Sequence, residues 1–104
     1  MVIEWLKIQV RPPMREKFIE FDRQIWTQML ENYAGFLGKE VWIEADADDL
    51  VILVIRWQTF EAWQSIPEAV PVQTDRAFKR KMGRHTFRYL DSFAYQVRKF
   101  PEVN

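Results

Sequence analysis

Two side chains in this sequence are placed to move a proton, His85 and Asp22. Histidine is the side chain that titrates near neutrality, and His85 is the only one here, so it is the natural proton carrier if the chemistry needs one. It follows Gly83 among basic residues, where a capping or solvent-exposed histidine is the ordinary alternative. Asp22 lies beside an apolar helical stripe, four residues before Trp26; burial there raises a carboxyl pKa and makes a base of it. The plainer reading has it accept a hydrogen bond from an indole or amide. Trp57 and Trp26 offer flat walls for stacking a planar ligand, or simply close the core. Trp5 and Trp42 alternate outward on expected strands, where they line a ligand cavity or plug an interface between subunits.

Other chemistries find less support. The chain has no cysteine, which removes disulfides, thiolate metal sites and a thiol nucleophile. Asp46, Asp48 and Asp49 suggest calcium, but the glycine and distal glutamate of a helix-loop-helix site are missing, so no metal is expected. No phosphate-cradling glycine loop or Ser-His-acid arrangement stands out.

The 104 residues fit one domain, 1–104, with a core small enough to gain from sharing a face with a partner. Five Trp, eight Phe and three Tyr exceed what one thin core needs, and interfaces and pockets take such a surplus. Fifteen basic and fifteen acidic residues balance, which argues against a nucleic-acid partner. The basic run Arg76, Lys79, Arg80, Lys81, Arg84 and Arg88 reads as a solvated helix face. The first residues do not look like a signal peptide and no apolar run spans a membrane, so a cytoplasmic location is the expectation.

The elements follow from periodicity. Residues 2–10 read as a strand in which Glu4 breaks the apolar face. Pro12 and Pro13 end it and lead into an amphipathic helix over 14–30, closed by Gly35. A second strand is expected over 36–45, with a bulge at Gly38, and a third over 50–57. Leu50 to Ile55 is apolar without a break, so both faces must leave water. Too few helices exist to cover both, which makes the sheet of a second subunit the simplest cover. Thr59 caps a short helix over 60–66; Pro67 and Pro71 break the chain; a further helix runs over 74–82; and the last strand spans 86–98, interrupted at Asp91. The tail from Phe100 has no periodicity and is expected to be the least ordered part. This order is the split βαβ arrangement: an α+β, ferredoxin-like fold with a four-stranded antiparallel sheet.

The stretch Ile55-Arg56-Trp57-Gln58-Thr59-Phe60-Glu61-Ala62-Trp63, together with Phe21-Asp22, Trp26 and Gly35-Phe36-Leu37-Gly38, resembles the antibiotic biosynthesis monooxygenase superfamily, in particular small monooxygenase-like proteins of cyanobacteria. The resemblance implies a homodimer in which two sheets close a dimeric α+β barrel, with a cavity between each sheet and its helices. Characterised members include cofactor-independent oxygenases of aromatic polyketides and haem-degrading enzymes. The haem degraders use an Asn, a Trp and a His; Trp57 matches the Trp, but the first strand offers Glu4, Lys7 and Gln9, and no His falls around 70–74. Haem degradation is therefore disfavoured.

Two functions follow. The first is a monooxygenase without cofactor, in which Asp22 or His85 deprotonates a small aromatic or apolar substrate walled by Trp57 and Trp26, with Trp5 and Trp42 as further lining. The second is a non-catalytic dimer that binds a small molecule or acts as an accessory subunit.

Overall fold

The computed structural model describes residues 1–102. Its frame is one antiparallel sheet in the order β2-β3-β1-β4, built from β1 (Val2–Val10), β2 (Phe36–Trp42), β3 (Leu50–Trp57) and β4 (Phe87–Gln96). The two central strands are the most apolar, as they must be to lie out of water. The helices, α1 (Arg15–Asp22), α2 (Gln28–Leu30), α3 (Phe60–Gln64) and α4 (Ala69–Met82), cover one face.

The expected barrel is absent. The sheet is open, and β2 and β4 are its edges, each paired on one side only. Four strands twisted as one layer do not bring their edges together, so nothing among the described residues closes the sheet on itself. The ferredoxin-like topology stands; the barrel does not.

Side-chain parity divides the sheet. Ile8, Val10, Val51 and Leu53 point to the helices and meet Phe18, Phe78 and Met82 in the main core. Phe18, Phe78 and Phe87 pack edge to face with centroids 5.1–5.4 Å apart, each pair adding about 0.5–1.5 kcal/mol beyond its buried area. A smaller cluster of Leu30, Ile55 and Trp57 fills the other end.

Helix boundaries depart from periodicity in two instructive places. The last helix begins at Ala69, before Pro71, because proline in a first turn forfeits only an amide that has no intrahelical acceptor. The first helix is not uniformly α: Arg23–Thr27 winds as a π turn between α1 and α2. Thr59 caps α3 through its Oγ1, 3.0 Å from the Ala62 amide. Gly35, at φ +91°, admits α3 closely: a Cβ there would stand 2.5 Å from that of Ala62. β4 bulges opposite Lys7 and Ile8, beside Asp91, and the tail expectation reaches residues 103–104, which lie outside the described residues.

Candidate functional site between sheet and helices

Between the helices and the sheet lies a cavity of about 830 Å3. Its floor is Glu4, Leu6, Lys39, Leu53 and Ile55; its roof is Phe18, Asp22, Trp26, Met29 and Leu30; and Trp63 with the Ser65–Pro71 segment stands at its side. The π turn, Arg23–Thr27, begins directly after Asp22 and carries Trp26. Both side chains line the cavity.

Asp22 is the most buried acid of the chain, 2 % exposed. Its two oxygens accept from Lys39 Nζ at 2.6 and 2.8 Å, and the lysine side chain is itself only 3 % exposed. Contacts this short are those of a carboxylate held by an ammonium. Removal from water pushes the Asp22 pKa up, against the opposing pull of Lys39. Glu4 is also pushed up by burial, while the Trp57 indole and the Lys39 charge hold it back. The Trp57 N–H lies near enough to favour ionised Glu4, yet its geometry does not complete a hydrogen bond, and the atom is buried without a partner. Across the cavity, the Tyr89 hydroxyl donates to Asp75 Oδ1 at 3.0 Å, and Asp75 pairs with Lys79 at 2.8 Å. Burial and that acidic neighbour raise the Tyr89 pKa, which keeps the phenol neutral.

The residues singled out in the sequence therefore separate. Asp22 and Trp26 face the cavity. Trp57 is wholly buried beyond the end of the floor, in the cluster with Leu30 and Ile55 and against Phe36 at 5.6 Å. Trp5 and Trp42 lie on the opposite, helix-free face, where Trp5 meets Phe93 at 5.7 Å and Trp42 donates to Glu40 at 2.8 Å. His85 takes φ 59° beside a second, shallower cleft lined by Arg11, Asp49 and Arg88, apart from Asp22. Sequence reasoning missed Lys39, although its parity with Val41 on β2 put it on the helix side. It also passed over Glu4 as a base, although its break in the apolar pattern was the signal of a buried charge.

Among the described residues no group of three His, Asp or Glu side chains is placed to hold a metal ion, and no helix is long and apolar enough to cross a membrane.

A search of curated proteins found no match. Solved structures match in fold. SnoaB, a cofactor-independent oxygenase from Streptomyces nogalater, superposes with a TM-score of 0.73 at 14 % identity over 97 % of both chains. The haem degrader MhuD of Mycobacterium tuberculosis, solved with two haems in its active site, gives 0.71 at 19 % identity, over 98 % of this chain and all of that one. A conserved protein of Methanosarcina mazei gives 0.65 at 14 % identity over 91 % of this chain and 90 % of that one. The matches do not single out cyanobacterial members. The family model described as antibiotic biosynthesis monooxygenase matches residues 1–66, which carry β1, the first helical layer, β2, β3 and α3 and thus most of the cavity's polar wall. On that match the chain belongs to the antibiotic biosynthesis monooxygenase family.

Proposed function

We propose that the protein is a cofactor-independent monooxygenase acting on a small, electron-rich aromatic substrate in the cavity between sheet and helices. The observation that carries this reading is the buried Asp22–Lys39 pair in the wall of an otherwise largely apolar cavity. A carboxylate whose pKa is raised by burial is a better match for a weakly acidic C–H or phenolic O–H than one in water. When Asp22 takes the substrate's proton, Lys39 is left as a cation facing the new substrate anion. For a hydroxyanthrone the balance is simple. Its ring methylene loses a proton, the carbanion gives one electron to O2, and the radical pair joins in a C–O bond. The Asp22 proton then returns to the peroxide, and loss of water leaves a carbonyl, so CH2 and O2 become C=O and H2O. Trp26 and Met29 supply the apolar contact surface. His85 is not assigned a part, because it borders the other cleft.

The test is oxygen uptake with a hydroxyanthrone under 18O2. One labelled atom is expected in the product and one in water, and Asp22→Asn is expected to lower turnover by about a hundredfold. Unchanged turnover in that variant overturns the assignment of the base.

We further propose that two copies meet through the helix-free face. Trp42, Phe93 and Tyr95 are about half exposed there, and Phe93 packs against both Trp5 and Tyr95, so the face presents aromatic area for a partner to cover.

A further inference from the structure

We infer that Asp22 sets the charge preference of the cavity, so that its ligand is a neutral hydroxylated aromatic and not an aromatic carboxylate. This rests on the reading of the cavity as the ligand site and adds the class of ligand it accepts.

Charge on the cavity wall is unevenly divided. Among the described residues, Lys39 is the only basic side chain lining it, against the carboxyl groups of Glu4, Asp22, Glu68 and Asp75. That single cation is already bound by both oxygens of Asp22, at 2.6 and 2.8 Å, and is nearly sealed from water. A ligand carboxylate entering here has no free cation to meet. It would have to displace Asp22 from Lys39 and leave a buried carboxylate unpaired, which is one of the costliest changes a protein interior can suffer. A phenol, by contrast, finds acceptors. Glu4 and Asp22 can each receive a hydroxyl hydrogen bond without losing a partner, since carboxylate oxygens accept more than once. Tyr89 is committed to Asp75 and offers no compensating donor. The arrangement therefore discriminates by an unpaired charge against the wrong ligand, a larger effect than shape alone gives.

The preference is reversible in principle. Replacing Asp22 by an isosteric amide removes the carboxylate bound to Lys39, and an incoming carboxylate then supplies an anion in its place.

The experiment is a titration of the full-length protein at neutral pH with 2-naphthol and with 2-naphthoate, followed by calorimetry and by thermal shift. The wild type is expected to bind 2-naphthol at least about tenfold more tightly than 2-naphthoate. Asp22→Asn is expected to reverse that order and to be raised in Tm by naphthoate alone. The double variant Asp22→Asn with Lys39→Gln is expected to lose the gain for naphthoate. Naphthoate binding the wild type as tightly as naphthol overturns the inference while leaving the cavity as the ligand site. Binding of neither compound overturns both readings. Should Asp22→Asn prove too unstable to purify, the wild-type pair of titrations still decides the question.

Discussion

Lys39 and Glu40 are neighbours on β2, and each sends an ion pair to a different face of the sheet. Lys39 points to the helices and meets Asp22 where both side chains are 2–3 % exposed. Glu40 points the other way and meets Arg56 at 2.9 Å with a third to a half of each side chain in water. The sequence neighbours share a backbone, yet the two pairs differ in energy, because only one has been removed from solvent. The exposed pair sits among aromatic residues and is screened. The buried pair has given up its hydration and is held by geometry. Charge that is costly to bury is kept beside the cavity; aromatic area with little charge cost is kept on the face proposed for the partner.

The largest difference should come from cutting one cation on each face. Lys39→Met leaves Asp22 buried without its partner and is expected to cost about 3 kcal/mol in urea denaturation. Arg56→Met, on the other face, is expected to cost no more than about 1 kcal/mol. Equal costs would break the distinction between the faces.

The aromatic patch comes next. Replacing Trp42 and Phe93 together by Ser is expected to shift sedimentation from dimer towards monomer while leaving naphthol binding within about twofold, since neither side chain reaches the cavity. Loss of naphthol binding with the dimer intact would contradict that division.

The smallest effect is a pH dependence. Burial raises the folded-state pKa of Glu4, so its contribution to stability is fully present at pH values below the ordinary carboxyl range and is lost as pH rises through the raised value. Asp22 acts in the same direction. Glu4→Gln is therefore expected to exceed the wild type in Tm by a few degrees at pH 8, with the gap closing towards pH 4. A constant gap across that range would mean that Glu4 is not buried as a charge.

The sheet and its order were legible because alternation and turn chemistry are local. Leu50–Trp57 was bounded to the residue, and Thr59 marked a helix start that the structure keeps, whereas the first helix stops at Leu30, short of Gly35. Pro71 misled because a proline's effect depends on whether its own amide is needed, which a helix start does not require. The barrel was read from family resemblance joined to an apolar strand, and apolarity says that a face is covered without saying how. The site was half legible. Asp22 and Trp26 share a helix, so spacing alone paired them. Lys39 reaches Asp22 from another element across 17 positions, and only the fold brings them together. His85 and Trp57 had the right chemistry, but type alone does not place a side chain at a cavity.

The central claim, that the helix-covered face is the functional one, is tested most directly by methyl NMR of the wild type titrated with 2-naphthol. The account predicts shifts at the methyl groups of Leu6, Leu53 and Ile55, which floor the cavity, with Ile3 and Ile52 on the opposite face unmoved. Shifts confined to Ile3 and Ile52 would put the ligand on the other side of the sheet and contradict it.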